Sequence, residues 1–224
     1  MLYKCEEHGY YRGELCPVCE QKGKFLMNEQ ELNSLSRIMA GALRHFPEKL
    51  GLIMDGKGWV DIEKLIQSIG TSRSGFNWLR DHHIEALVMT DPRERYQIDG
   101  GMVRATYGHS IEVNLDDLPV AELDKYYYPV TEEEAEIIIE AGLYPIDRKK
   151  VHLSGSIEKA IEAGKVRAED PLIIEIDGIQ ARRDGVKIYH AGKDVFITEN
   201  VKPEYIKLLE ESDIQDILKK NIKK

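Results

Sequence analysis

Cysteine is nearly absent from this chain. Of 224 residues only three are cysteine, and none lies beyond residue 19. That excludes a disulfide framework. Long apolar runs are missing too: nothing approaches the roughly 20 residues a membrane helix needs. The opening Met1-Leu2-Tyr3-Lys4-Cys5 has no apolar signal-peptide core. A cytoplasmic protein without a membrane partner is expected. Positive charge is in deficit, with 31 Lys and Arg against 40 Asp and Glu and a net charge of -9. This argues against non-specific nucleic-acid binding. It leaves room for a local basic cleft, because binding responds to the field at the site. Missing motifs exclude further classes. No Gly-x-Gly-x-x-Gly follows a strand and there is no P-loop. Neither His-Glu-x-x-His, nor Gly-x-Ser-x-Gly, nor a kinase motif set occurs.

What is present begins with the cysteines themselves. They form Cys5-x-x-His8 and Cys16-x-x-Cys19. An odd thiol count suits disulfides poorly and zinc well once His8 supplies the fourth ligand. Each i, i+3 pair presents both ligands from one tight turn, and Gly9, Gly13 and Pro17 fit such turns. Four ligands leave no open position, so the expected zinc is structural. The competing reading is three unrelated thiols and a surface histidine. Residues 1–27 are expected to form a zinc ribbon.

Residues 28–115 read as helices followed by a hairpin. Leu32, Leu35, Met39 and Leu43 make one apolar stripe over Asn28 to Phe46, ended by Pro47. A second helix is expected over Val60 to Ile69, capped by Asp61 and stopped by Gly70. A third is expected from about Gly75 to Val88, burying Phe76, Leu79, Ile84 and Leu87 and exposing Arg80, His82 and His83. Arg95 to Ile98 and Met102 to Ala105, joined by Asp99-Gly100-Gly101, read as a hairpin. This order suits a winged helix, with a helix and a wing set against nucleic acid, or a plain helical domain with solvated charges.

Residues 116–224 alternate strands and helices, an α+β pattern. Strands are expected at Lys125 to Tyr128, Val151 to Leu153, Leu172 to Ile176 (central), Val186 to Tyr189 and Val195 to Thr198. The box Thr131-x-x-Glu134 opens a helix packed by Ile137, Ile138 and Ala141. Another helix runs from Ser156 to Ala163 and stops at Gly164. Asp213 to Lys224 is expected to be a last helix with a basic end.

Between the two halves lies Arg104-Ala105-Thr106-Tyr107-Gly108-His109-Ser110, dense in anion-handling groups. It is expected at the junction of the two domains. On spacing alone Arg44 and His45 read as charges favoured at a helix C-terminus, and His152 reads as structural.

Several motifs together resemble the RNA 2′-phosphotransferase family. Leu43-Arg44-His45-x-Pro47-Glu48 resembles its LRHxPE motif, and Gly58-Trp59-Val60 its GWV. Arg104-Ala105-x-x-Gly108-His109-Ser110 resembles RAxQGHS, and Val151-His152-Leu153-Ser154 resembles VHLS. Arg167 resembles the arginine of its GxR segment. Asp184-Gly185…Tyr189…Val195-x-Ile197-Thr198 resembles its closing pattern. The resemblance spans Leu32 to Ile206 and leaves the cysteine clip outside.

The resemblance implies a winged-helix RNA-binding lobe and an ADP-ribosyltransferase-like, NAD-binding lobe. The implied activity removes an internal 2′-phosphate from RNA, as at a tRNA splice junction. The phosphate attacks the nicotinamide-bearing ribose carbon of NAD and expels nicotinamide. The ribose 2″-hydroxyl then attacks phosphorus, giving 2′-hydroxyl RNA and ADP-ribose 1″,2″-cyclic phosphate. The implied catalytic set is Arg44, His45, Arg104 and Arg167. Gly108, His109, Ser110, His152, Leu153, Ser154 and Arg148 are the implied NAD contacts. A monomer is expected. The chain departs from the family at Tyr107, where the motif has glutamine. A second departure is Tyr126-Tyr127-Tyr128-Pro129-Val130, where the family has LYHGT. A longer GxR spacing makes Arg148 a rival to Arg167. Two other functions stay open: an ADP-ribosyltransferase with another acceptor, and a non-enzymatic zinc-ribbon nucleic-acid binder.

Overall fold

The computed structural model describes residues 1–222, and side chains as far as Lys219. The chain is α+β and divides into two compact units, Met1–Leu115 and Asp116–Lys224. Among the described residues, no helix is long and apolar enough to cross a membrane.

The first unit opens with strands β1 (Leu2–Cys5), β2 (Gly9–Arg12) and β3 (Lys24–Met27), in the antiparallel order β2-β1-β3. Leu2 and Met27 are fully buried in the same core as the helices that follow, so these strands share the unit's apolar interior. Helix α1 spans Glu29–Arg44. Its capping box is complete: the Asn28 side chain accepts from the Glu31 N–H, and Glu31 accepts from the Asn28 N–H. The predicted stripe of Leu32, Leu35, Met39 and Leu43 is buried. Phe46 falls outside the helix, because His45 already leaves helical geometry as its C-cap.

Strand β4 (Val60–Asp61) leads into α2 (Ile62–Ser72), where Asp61 caps as expected. Gly70 does not stop α2: the helix runs two residues past it, since glycine inside a helix costs only about 1 kcal/mol. Helix α3 is shorter than predicted and spans Asp81–Met89. The prediction that His83 faces solvent is overturned. It is buried, its Nδ1 accepts from the Arg80 N–H, and its ring packs edge-on against Trp78 at 4.8 Å. Strands β5 (Tyr96–Asp99) and β6 (Met102–Ala105) form the predicted hairpin. Gly100 and Gly101 both take positive φ, as a two-residue turn that matches strand twist requires. The small sheet is ordered β4-β6-β5.

His83 carries a pH prediction. Burial pushes its pKa down from 6.5 to about 4. The unfolded chain therefore binds this proton more readily, and stability falls as pH drops from about 6.5 toward 4. Thermal melts across that window should show the loss, and His83→Phe should flatten the profile. An unchanged profile in that variant refutes the assignment.

The second unit is built on a six-stranded sheet ordered β10-β11-β8-β7-β9-β12, antiparallel throughout. Strand β7 is Lys125–Val130. Helix α4 (Glu132–Ala141) opens on the predicted Thr131–Glu134 capping box. The expected packing of α4 is corrected, because Ile137 and Ala141 face solvent while Ala135 and Ile138 turn inward. Gly142 ends it at φ 91°, where a side chain would strike the Val201 carbonyl.

Strand β8 (Val151–Ser154) leads to α5 (Ile157–Gly164), capped by Ser156. Gly164 belongs to α5 rather than stopping it, and a Cβ there would meet Pro129 and Pro171. Strand β9 (Leu172–Asp177) is interior but one place from the edge, so β7 and β8 hold the centre. Helix α6 (Gly178–Arg183) was not anticipated. Strand β10 (Tyr189–Gly192) begins later than expected, and β11 (Val195–Thr198) matches its prediction. Strand β12 (Ile206–Leu208) forms the edge, and α7 (Glu211–Ile222) closes the described chain. The expected basic end of α7 reaches Lys223 and Lys224, outside the described residues.

Candidate active site

In the first unit, the end of α1 meets the segment after β6. Arg44 is the last residue of α1 and His45 its cap. Nδ1 of His45 lies 2.9 Å from Oγ of Ser110, and the Ser110 N–H donates to the Arg44 carbonyl. The predicted Arg-His pair and the predicted Gly-His-Ser segment are thus one structure.

The Arg44 guanidinium sits 4.6 Å from the Tyr107 ring centroid and 5.9 Å from that of Tyr96, a cation–π platform. Its Nε and Nη2 are buried and have no hydrogen-bond partner among the described residues. Burial draws the Arg44 pKa down, and a guanidinium stays charged nonetheless. Gly108 has φ 83°, and a Cβ there would come within 3.3 Å of the Arg44 Cζ. Glycine is required twice over, for its backbone conformation and for the room it gives the cation.

Arg104 belongs to the adjacent part of this unit. Nε and Nη2 both donate to Oε1 of Gln97, its cross-strand neighbour, and Nη1 donates to the Lys57 carbonyl. Its guanidinium lies 4.6 Å from the Trp59 ring centroid. The Trp59 turn is held by Asp55, whose Oδ1 accepts from the N–H groups of Lys57 and Trp59. Gly58 takes φ 82° there, and its Cβ position lies 3.8 Å from Nε2 of the buried His109. Sequence reading missed Asp55, Gln97 and the platform role of Tyr107. The Asp55-x-Lys57 spacing of an Asx turn was the available signal for the first.

The same unit brings together the four residues of the clip. The ligand atoms of Cys5, His8, Cys16 and Cys19 all lie within 4.8 Å of one another. Sγ of Cys5 is 3.4 Å from Nδ1 of His8 and 3.8 Å from Sγ of Cys19. Tetrahedral zinc with Zn–S near 2.3 Å sets sulfurs about 3.8 Å apart, so the donor set fits a zinc site. The N–H of Cys19, with that of Val18, holds the Cys16 thiol down to about 7, favouring the thiolate a metal needs.

In the second unit, Arg167 follows α5 at the surface. Nη1 pairs with Oε1 of Glu134 at 2.8 Å and Nη2 donates to the Pro129 carbonyl. Glu134 is also the capping-box glutamate, so Arg167 is tied to the start of α4 and the end of β7. His152, Leu153 and Ser154 lie on β8 opposite Ile197, Phe196 and Val195 of β11. Leu153 is core, whereas His152 and Ser154 are half-buried on the other face. Arg148 is exposed in the loop before β8. Gly155 follows β8, where any Cβ would meet the Phe196 ring at 2.6 Å.

Comparison with known proteins matches residues 30–200 to the family model described as RNA 2'-phosphotransferase, Tpt1 / KptA family. A Thermoplasma volcanium protein named "Probable RNA 2'-phosphotransferase" is 41% identical over 92% of this chain and 88% of its own length. "Probable RNA 2'-phosphotransferase 1" of Archaeoglobus fulgidus is 40% identical over 91% and 92%. A Methanosarcina barkeri protein named "Probable RNA 2'-phosphotransferase" is 38% identical over 94% of this chain and its whole length. With motifs, family model and relatives in agreement over most of its length, this chain belongs to the RNA 2′-phosphotransferase family and is a transferase.

Proposed function

We propose that this enzyme removes an internal 2′-phosphate from RNA, as at a tRNA splice junction, with NAD as co-substrate. The observation that carries the reading is Arg44: a buried cation with two unengaged N–H donors, stacked on tyrosine and given clearance by a glycine. A buried donor without a partner costs about 1–3 kcal/mol. An oxyanion arriving there would relieve that cost, and a planar guanidinium suits a phosphate held through two oxygens.

A phosphate monoester is already anionic and needs orientation more than deprotonation. NAD supplies the electrophilic ribose carbon and nicotinamide as leaving group. Arg44 would bind the 2′-phosphate. His45, fixed through Nδ1 by Ser110, would move a proton at Nε2, to the departing RNA 2′-oxygen or from the ribose hydroxyl. Arg104, clamped by Gln97 and stacked on Trp59, serves as a fixed positive charge as charge shifts around phosphorus. Arg167, which its link to Glu134 fixes at α4, is cast as the fourth arginine, with Arg148 as its rival. Gly108 and His109 on the first unit and His152 and Ser154 on β8 are the proposed NAD contacts, with Leu153 holding β8 in the core. Ser110 is reassigned from NAD to the orientation of His45.

Three helices followed by the β5–β6 hairpin follow the order of a winged helix, and the clip is read as a zinc ribbon. The antiparallel second unit is read as an ADP-ribosyltransferase-like lobe, and the protein as a cytoplasmic monomer. Mixing protein, NAD and a 2′-phosphorylated oligonucleotide should release nicotinamide and 2′-hydroxyl RNA in equal amounts. Nicotinamide release without loss of the 2′-phosphate would favour transfer to another acceptor, and no release at all would overturn the reading.

A further inference from the structure

Apart from the Arg44 site, the first unit has a cavity of about 380 Å³ whose walls come from β2, α1 and the loop before β5. Arg12, Arg37, Arg93 and Arg95 line it, and the only acid among its lining residues is Asp91. Both Asp91 oxygens are engaged by Arg95, at 2.9 and 2.7 Å, while the Arg95 Nη2 also reaches Oγ of Ser36. Burial alone would raise the Asp91 pKa; the Arg95 bonds reverse this and hold it down. That pair neutralises itself and forms the floor. Arg12, Arg37 and Arg93 stand around an open space, three exposed arginines on a chain whose net charge is -9. The Nε of Arg12 donates to Oγ1 of Thr90 and that of Arg37 to the Asn33 carbonyl, which orients both side chains. Such a concentration against the overall balance marks an anion site.

Position says which anion. The Arg95 guanidinium lies 5.3 Å from the Tyr96 ring centroid, and that of Arg44 lies 5.9 Å from the same ring. The Tyr107 hydroxyl contacts the Arg93 carbonyl at 3.5 Å. Two residues that line the cavity, Arg93 and Arg95, thus each contact a tyrosine that Arg44 also faces. A single strand that places one phosphate at Arg44 can set a neighbouring phosphate in the cavity.

We propose that Arg12, Arg37 and Arg93 form a subsite for a backbone phosphate of the RNA flanking the 2′-phosphorylated nucleotide. This rests on the reading of Arg44 as the 2′-phosphate ligand. The subsite contacts no base and gives affinity without sequence preference. It also gives the amino-terminal clip a part in substrate binding, because Arg12 is the last residue of β2.

The test uses the double variant Arg37→Gln/Arg93→Gln, both surface changes, with a thermal melt as fold control. Binding of a single-stranded 2′-hydroxyl RNA of about a dozen nucleotides is followed by fluorescence anisotropy over a salt series, without NAD. Losing the grip on this one backbone phosphate should weaken binding by about tenfold and reduce the salt slope by roughly 0.7, the value for one phosphate of a single strand. Binding of a nucleoside 2′-monophosphate, which carries no backbone phosphate, should be unchanged. Equal affinity and slope in variant and wild type overturn the proposal. So does a variant that loses only inorganic phosphate binding while holding RNA as before, since the cavity would then be a free-anion site. Absence of nicotinamide release by the wild type would refute the proposed chemistry while leaving this binding result readable by itself.

Discussion

Arg44→Met should abolish nicotinamide release while leaving the protein as stable as before or slightly more so. The two halves of this expectation come from one geometric fact. Nε and Nη2 of Arg44 are buried without partners, so the folded protein carries a desolvated cation that the unfolded chain would hydrate. Removing buried donors that lack partners, with an apolar side chain of similar length in place, takes away a cost of about 1–3 kcal/mol. Loss of the stacking on Tyr107 offsets part of that gain, by about 0.5–2 kcal/mol. The net effect on melting is therefore near zero or positive, the usual sign when a functional group is held at the expense of stability. On rate, losing one preorganised donor to a developing oxyanion costs about 10²–10³-fold, and Arg44 offers more than one. Arg44→Lys should recover little, because a point charge lacks the planar fork. Assays of nicotinamide release beside melting curves decide the matter. Appreciable turnover by Arg44→Met ends the assignment of Arg44 to catalysis. A melting temperature lowered by more than about 5 °C, over 1 kcal/mol for a chain of this size, would show that the guanidinium is structural.

Much of this arrangement was legible beforehand because local rules and tertiary structure agree. Helix α1 has an apolar stripe, a capping box and a proline past its end, all pointing to one answer. The Gly100-Gly101 hairpin is specified by its turn. The readings that failed did so where side-chain type and environment diverge. His83 is polar, which predicts an outward side chain, yet its Nδ1 accepts from the Arg80 N–H at the start of α3 and its ring packs edge-on with Trp78. Helix α4 carries three consecutive isoleucines, and consecutive residues cannot share a face, so the inward one is decided by the sheet. Helix α6 has six residues, too few to display a period.

The candidate site divides the same way. Motif order identified Arg44, His45, Arg104 and the Gly-His-Ser segment, and Gly108 has a plain reason in the space Arg44 occupies. Tyr107 stood out as a departure from the family pattern. Its role as the cation platform depends on where the end of α1 comes to lie, which no local signal encodes.

The other large effect should follow metal removal. The three thiols and His8 already stand at tetrahedral spacing, and three sulfurs this close can all ionise only with a cation between them. The clip also reaches inward: Leu2 and Met27 are fully buried with Leu35, Met39 and Leu43 of α1. Opening the clip therefore loosens the core of the whole first unit. A ligand present at 1,000 times its dissociation constant stabilises by about 4 kcal/mol. At about 2–4 °C per kcal/mol for a chain of this length, chelation should lower the melting temperature by about 10 °C. Cys16→Ser should behave likewise, and metal analysis of untreated protein should give about one zinc per chain. Because β2 also carries Arg12, stripping the metal should weaken binding of the longer RNA even below the new melting temperature. Protein that contains no zinc and melts unchanged in chelator would reduce the clip to three stray thiols.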